Sequence, residues 1–447
     1  MKVSKVSVKN LFGVFNHTIS FHTKERITII HGPNGYGKTI ILRMINGLFN
    51  NNLSVFFRIP FESFRVDFTD KNFVVIQKSG GEKAKLTFKS SLIDETIQLS
   101  SRSAKDLEIP LGAIDDIIPE LSRVGAQEWV DMRTGHGLNL DEIIEKYGDI
   151  LEMRIGRDFA RALPNRQMKK ALPPIQTHLI KADRLRANVN FVPERVYRSS
   201  SIRRAASEPS ISAVVENSQD LARRIQQTLA KSVELSSSLD RSFPMRLVDV
   251  LGKRQRKLSD EKIRKELAEL EGKRARLVDA GLLDKEQGEF ELPEKEVNEQ
   301  TKLVLNIYIQ DVKKKLAIFD EDLGRIELFK DILSRRFTYK QFKITKNRGF
   351  LFTTLDGVDL MPDALSSGEQ HEIVLLYELL FRVKENSLIL LDEPEISLHI
   401  GWQQEFLKDL AAITQLSEFD ALIATHSPDI IHDRWDLTVD LEGPKKQ

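Results

Sequence analysis

The chain opens on an alternation of apolar and polar positions. Val3, Val6 and Val8 lead into Val14-Phe15-Asn16-His17-Thr18-Ile19-Ser20-Phe21, and then into the short β-branched run Ile27-Thr28-Ile29-Ile30. A period of two predicts half-buried strands, and the last run predicts a buried one. A glycine-rich turn follows, then a helix from Thr39 to about Leu48. Residues 64–92 alternate around Ser79-Gly80-Gly81-Glu82, which reads as a hairpin. Residues 115–170 read as mixed and mostly helical. Thr177-His178-Leu179-Ile180 predicts another buried strand, and residues 199–210 a loop.

The middle of the chain has a different texture. A helix is predicted from Ile211 to Asp240. Residues 258–278 and 294–336 are dense in Lys, Glu, Arg and Leu with few breakers. They predict a short helical hairpin or arm, with Gly281 and Pro293 near its tip. Strands at 338–346 and 350–354 return the chain to a sheet. Then come a helix (Glu369–Val383), a buried strand (Leu388–Leu391), a helix near Trp402–Ile413 and a strand (Ala421–Ala424). The layout is a split domain: residues 1–115 and 336–447 form its two halves, and 116–335 a mostly helical insertion with one returning strand near 177–182.

Composition narrows the chemistry. There are no cysteines, which excludes disulfides, thiolate metal sites and cysteine nucleophiles. No apolar run reaches the roughly 18 residues of a membrane span, and the first residues lack a signal-like apolar stretch, so a cytoplasmic chain is expected. The net charge of +1 hides an asymmetry: residues 151–250 carry 18 Lys plus Arg against 10 Asp plus Glu, and residues 351–447 carry 6 against 19. The basic middle suits nucleic acid or an acidic protein, and equally a solvated helical face or docking on the acidic part of the same protein. Arg184 and Arg186 fall in this stretch. They suit phosphate, DNA or a partner, and equally surface pairing with nearby acids.

Four motifs carry chemistry. Gly32-Pro33-Asn34-Gly35-Tyr36-Gly37-Lys38-Thr39 fits G-x-x-x-x-G-K-[ST], between a predicted buried strand and a predicted helix. Glycines let backbone N–H groups close around phosphate oxygens, Lys38 brings charge to the β- and γ-phosphates, and Thr39 a hydroxyl to Mg²⁺. Leu388-Ile389-Leu390-Leu391-Asp392-Glu393 is a buried strand ending in two acids, a costly arrangement unless a metal and a water compensate. Asp392 would then hold Mg²⁺, and Glu393 would orient and deprotonate the attacking water. Leu365-Ser366-Ser367-Gly368-Glu369-Gln370 precedes an apolar helix. It reads as a capping box, and a capped helix start also binds anions. Ala424-Thr425-His426-Ser427-Pro428 puts a histidine at a strand end, where it either contacts a γ-phosphate or serves the fold.

In this order the motifs resemble those of ABC-type ATPases, in the branch with SMC, Rad50, RecF and OLD-family proteins. Val8-Lys9-Asn10-Leu11-Phe12-Gly13-Val14-Phe15 is similar to the strand-loop-strand that opens those heads. Leu365–Gln370 looks like their signature motif, with Ser367 where most members have glycine. Glu393-Pro394-Glu395-Ile396-Ser397-Leu398-His399 looks like an OLD-type D-loop, with His399 where many ABC proteins carry aspartate. Thr425-His426-Ser427-Pro428 looks like the H-switch, and Gln77 is the one candidate for the Q-loop ligand of Mg²⁺.

The resemblance implies an α/β fold: an ABC-ATPase head, with a mixed P-loop sheet and an antiparallel β-lobe, plus a helical insertion forming a short coiled-coil-like arm. It implies ATP and Mg²⁺ as ligands and a homo-oligomer. In such an oligomer Ser366, Ser367, Gly368 and Glu369 of one copy complete the site on the Lys38 of another, and Ser397 and His399 belong to the D-loop. OLD proteins continue into a toprim nuclease, for which this chain has no room, and long SMC and Rad50 arms are absent too. The chain further resembles the ATPase subunits of bacterial anti-phage defence systems such as PARIS. That implies a separate toprim-type nuclease effector and a phage trigger protein, such as a DNA mimic. A RecF-like repair ATPase that clamps DNA is the alternative, and a scaffold using ATP only as a structural ligand is a third.

Overall fold

The computed structural model describes residues 1–50, 53–80, 85–94, 96–100, 114–115, 117–118, 120–125, 128–131, 137–140, 143, 147, 168, 171–180, 213–251, 259–285 and 298–443. The loop at 199–210, Arg184, Arg186 and Pro293 lie outside these residues. The chain divides into two compact units, one of residues 1–181, 384–394 and 418–447, the other of 182–383 and 395–417. The boundaries expected at 116 and 336 therefore do not coincide with the units. Among the described residues no helix is long and apolar enough to cross a membrane.

The first unit is built on two large sheets. Strands β1 (Val3–Leu11), β2 (Phe15–Ser20) and β3 (Ile27–His31) lead to helices α1 (Lys38–Phe49) and α2 (Ser54–Arg58). Strands β4 (Ser63–Phe68), β5 (Phe73–Ser79), β6 (Lys85–Ser90) and β7 (Ile97–Ser100) follow. β1, β2 and β4–β7 make a six-stranded antiparallel sheet in the order β2-β1-β4-β5-β6-β7, and the expected hairpin joins β5 to β6.

Most of residues 115–170 lie outside the described residues, and those described include three short strands as well as helical positions. Strands β8 (Leu121–Arg123), β9 (Glu128–Asp131) and β10 (Gly137–Asn139) form a small antiparallel sheet. At three or four residues each, they are too short to show a period. β11 (Thr177–Ile180) is the expected returning strand.

The second unit begins with the arm. Helices α3 (Ala213–Leu251), α4 (Asp260–Asp279), α5 (Glu299–Ala317) and α6 (Asp320–Arg336) lead to strands β12 (Lys340–Thr345), β13 (Gly349–Thr354) and β14 (Asp359–Leu360). Ion pairs fix the directions. Lys302 meets Asp260 at 2.7 Å and Arg276 meets Glu327 at 2.6 Å, so α5 and α6 run alongside α4 in the same sense. Arg246 pairs with Asp311 at 2.6 Å and Thr228 bonds Asp322 at 2.6 Å, so α3 runs the opposite way. This corrects the placement of Gly281. It sits at the base of the arm, with φ +73°, and a Cβ there would lie 2.2 Å from the Ile344 carbonyl oxygen of β12. Only glycine fits so close an approach at a left-handed φ. Among the described residues, the far end of the arm is formed by the end of α3 and the starts of α4 and α5.

Helices α7 (Ser367–Tyr377) and α8 (Ile400–Ser417) complete this unit. The helix expected to run to Val383 changes to a π-helical turn over Glu378–Arg382. A charged group is sealed among α6, α7 and α8. Arg336 is 4% exposed and pairs with Glu372 of α7, 1% exposed, and Asp409 of α8, 3% exposed. Arg335 reaches the same Asp409 at 2.9 Å. Buried ions are tolerated only in such paired form. Tyr377 donates to Asp220 at 2.6 Å and ties α7 to α3.

The first unit closes with β15 (Leu388–Asp392), β16 (Asp420–Thr425), the short helix α9 (Pro428–Ile431) and β17 (Thr438–Asp440). With β11 and β3 these strands form a wholly parallel sheet in the order β11-β15-β16-β3-β17. Its central strands are apolar because both faces are covered. Ile41, Leu42, Ile45 and Leu48 of α1 share one core with Ile30, Leu390 and Leu422 of this sheet and with Val8, Phe64 and Phe88 of the antiparallel sheet. Each such side chain is worth roughly 1.5–3 kcal/mol on burial.

Replacing Arg336 by Met would strand the buried Glu372 carboxylate and leave Asp409 with Arg335 alone. Arg336→Met is expected to cost about 3–5 kcal/mol, read as a lowered denaturant midpoint. A variant as stable as the parent would show that the pair is not needed.

Candidate nucleotide site

Parallel register gathers the motifs of the first unit. Asp392 pairs with Ala424, Ala424 with Ile30, and Thr425 with His31. The three neighbouring strands thus end at one level, and the residues after each end emerge at the carboxyl edge of the sheet. Open α/β sheets bind their ligands there. From β3 come Gly32–Gly37, from β15 Glu393, and from β16 His426.

The turn from β3 to α1 is a tight glycine-rich loop. Gly35 and Gly37 take φ of +86° and +85°. At Gly37 a Cβ would also meet Leu11 Cδ2 at 2.7 Å. Pro33, Asn34 and Gly35 are exposed, whereas Tyr36 and Gly37 are half-buried. Lys38 is 5% exposed, and its ammonium donates to the carbonyls of Gly32 at 2.5 Å and Pro33 at 3.1 Å. α1 then presents the N–H groups of its first turn at the loop, an arrangement that favours anions.

Thr39 and Asp392 are brought together: the threonine hydroxyl donates to the carboxylate at 2.9 Å. Glu393 comes next with φ +46°, a left-handed conformation costly for a residue with a Cβ, and its N–H is held by the Ala424 carbonyl at 2.9 Å. His426 Nδ1 lies 3.6 Å from Glu393 Oε1, an ion contact when the imidazole is protonated and too long for a hydrogen bond. Thr425 Oγ1 accepts from the Ser427 N–H at 2.9 Å and shapes the turn that presents His426. Gln77 is exposed on β5, opposite Ser63 and Thr87, and takes no part in the bond joining Thr39 to Asp392.

The remaining motifs belong to the second unit. Ser366 caps α7 in a complete capping box, its hydroxyl accepting from the Glu369 N–H and the Glu369 carboxylate accepting from the Ser366 N–H at 2.9 Å. Ser366 and Ser367 are exposed, and a Cβ on Gly368 would meet nothing within 4 Å, so this helix start presents an open surface. Burial raises the Glu369 carboxyl, but Lys340 at 2.6 Å and the bonds from Ser366 outweigh it and hold the group below its ordinary value. Ser397 ends a 3₁₀ turn (Pro394–Ser397), and its side chain lies outside the described residues. His399 is exposed; its Nδ1 accepts from the Gly401 N–H at 3.3 Å, and its ring lies 5.8 Å from Trp402.

One residue near the loop escaped the motif reading. His17 of β2 is 3% exposed, and its Nε2 lies 2.9 Å from the Tyr36 carbonyl oxygen. The only trace in the sequence is a polar residue on the inward phase of Phe15-His17-Ile19-Phe21.

Residues 1–431 match the AAA ATPase domain family. The chain belongs to that family, which implies that it binds a nucleotide. It is 29% identical over 133 residues to protein ea59 of Escherichia phage lambda, an alignment covering 28% of this chain and 24% of that protein. The chain thus spans about a quarter of that curated relative. Among solved structures it is similar to the SMC head domain from Thermotoga maritima, at 12% identity and a TM-score of 0.31. It is also similar to the Smc head domain with an extended coiled coil bound to the C-terminal domain of ScpA from Pyrococcus furiosus, at 12% identity and a TM-score of 0.35. Both matches cover 96% of this chain and 91% of the other.

Removing the cap isolates its local worth. Ser366→Ala is expected to cost about 1 kcal/mol, and Glu369→Gln to remove the part of the stability that is present above the carboxyl's unfolded-state value and lost as acid protonates it. Thermal melts of both variants at neutral and acidic pH test this. An unchanged melting temperature in Ser366→Ala would mean that the box does not hold the helix start.

Proposed function

We propose that this AAA ATPase domain works as an ABC-type head of the SMC, Rad50, RecF and OLD-like branch, in which ATP joins two copies and hydrolysis parts them. The observation that carries the reading is the Thr39–Asp392 bond at the sheet edge, with Glu393 next in the chain and facing His426. The backbone N–H groups of residues 32–37 and the start of α1 hold the phosphates, and Lys38 supplies charge to the β- and γ-phosphates. Thr39 and Asp392 offer a hydroxyl and a carboxylate oxygen 2.9 Å apart, a donor set that suits Mg²⁺, which takes few protein ligands beside waters and phosphates. Bound there, the ion neutralises charge developing on the phosphates. Glu393 orients the attacking water and accepts its proton, and His426 contacts the γ-phosphate.

The second half of the site comes, in this reading, from another copy. Ser366 and Gly368 support it, because they form a capped helix start open on its outer face. Ser367 fits the same role, since its exposed side chain leaves room for a phosphate. Ser397 and His399 would form the D-loop of this reading.

The cycle would serve a scaffold that holds a separate toprim-type nuclease and releases it on meeting a phage protein. This extension rests on the sequence resemblance to defence ATPases, and the excess of Lys and Arg in 151–250 suits an acidic DNA mimic. The same excess suits DNA itself, which favours a RecF-like clamp as the second reading.

Lys38→Ala should abolish ATP binding, whereas Glu393→Gln should bind ATP normally, slow turnover by about a hundredfold or more, and accumulate as an ATP-bound oligomer in light scattering. Hydrolysis at the parental rate by either variant would sink the assignment. Co-expression with the neighbouring gene separates the two roles. A stoichiometric nuclease in the purified complex supports defence, and steeply salt-dependent binding of duplex DNA alone supports the clamp.

A further inference from the structure

We propose that His17 is a positioning residue for the phosphate loop, fixing the Tyr36–Gly37 peptide so that the Gly37 N–H is aimed at the nucleotide phosphates. The inference rests on the ATP-site reading above and adds to it a residue outside every motif.

A carbonyl can only accept, so the 2.9 Å contact with the Tyr36 oxygen requires the proton on Nε2 and leaves Nδ1 bare. Nδ1 is buried and has no hydrogen-bond partner. Among the described residues, the only hydrogen bond the buried imidazole makes is therefore the one to the loop. Phenylalanine or leucine would continue the inward phase of β2 without that cost. The ring is held in place: it stacks on Phe15 at 5.4 Å, and Phe15 packs against Tyr36 at 5.3 Å. Burial holds the imidazole below its ordinary value of 6.5, against the opposing pull of the Tyr36 carbonyl and the Glu442 charge, so the neutral donor is the resident form.

Peptide geometry carries this tether to the nucleotide side. In a planar trans peptide the C=O and the next N–H point in opposite directions. A tether on the Tyr36 oxygen, on the β2 side, turns the Gly37 N–H to the other side of the loop. This peptide turns about Tyr36 ψ and Gly37 φ, and Gly37, at φ +85°, lacks the Cβ that would restrict its side of the rotation, so an external tether on the Tyr36 oxygen helps to select one orientation.

The test compares His17→Phe, which keeps an aromatic ring without a donor, with His17→Gln, whose amide can restore one. In His17→Phe the KM for ATP and the Kd for ATPγS should rise about tenfold or more, the weight of one hydrogen bond to a charged group, with kcat changed far less. His17→Gln should recover most of the affinity, and both variants should keep the parental melting temperature to within a few degrees. A His17→Phe protein that binds ATPγS like the parent overturns the inference, as does a folded His17→Gln protein that binds no better than His17→Phe. Lys38→Ala is the control: if it too binds ATPγS normally, the ATP-site reading has failed, whereas its loss of binding beside an intact His17→Phe condemns only the role of His17. Should His17→Phe not fold, ¹⁵N-histidine spectra of the parent decide. The Nε2–H tautomer should persist below pH 6.5, and its resonance should shift on adding Mg-ATPγS. A His17 that titrates at an unperturbed value, or ignores the nucleotide, overturns the proposal.

Discussion

The bond between Thr39 and Asp392 spans 353 residues of sequence. It exists only if a strand from the start of the chain and one from near its end lie in a single sheet at a fixed register. β3 and β15 are not themselves neighbours. β16 lies between them and pairs with both in parallel. A slip of one residue in either pairing would turn Asp392 toward the other face of the sheet and separate it from the threonine. The apolar runs Ile27–Ile30, Leu388–Leu391 and Ala421–Ala424, buried on both faces, are what hold that register. The chemistry of the site is in this sense a property of the sheet core.

Much of this was legible in the sequence because it is local. A P-loop needs glycines at fixed spacing, a buried parallel strand needs an unbroken apolar run, and a capped helix needs a hydroxyl three residues before an acid. Gly35, Leu388–Leu391 and the Ser366–Glu369 box carry these signals within a few residues. What could not be read was tertiary. The short strands of residues 121–139 carry no period. Gly281 looked like a turn at the end of an arm, whereas its glycine is demanded by the Ile344 carbonyl at the arm's base. Arg336 looked like one more charge in a charged helix, and only the fold reveals it as 4% exposed between two acids.

His17 shows how such a residue differs from a motif. Its type departs from the pattern of its own strand, since the inward phase of β2 is otherwise apolar. Departures of this kind concentrate where a fold gives up local consistency for function. The departure is visible in the sequence, but its reason is not, because the Tyr36 carbonyl reaches it through the turn and not along the strand.

The chain crosses from one unit to the other directly after the acidic strand end. One unit ends its stretch at Pro394, directly after Glu393, and the other resumes at Glu395. Within a few residues the second unit's chain enters α8, whose Asp409 grips Arg336 at the end of the arm's last helix, and Arg336 also grips Glu372 of α7. Buried charges of this sort add little net stability over an apolar core, but they admit few alternative pairings. A cluster that admits one arrangement holds α6, α7 and α8 together as a single piece of the second unit.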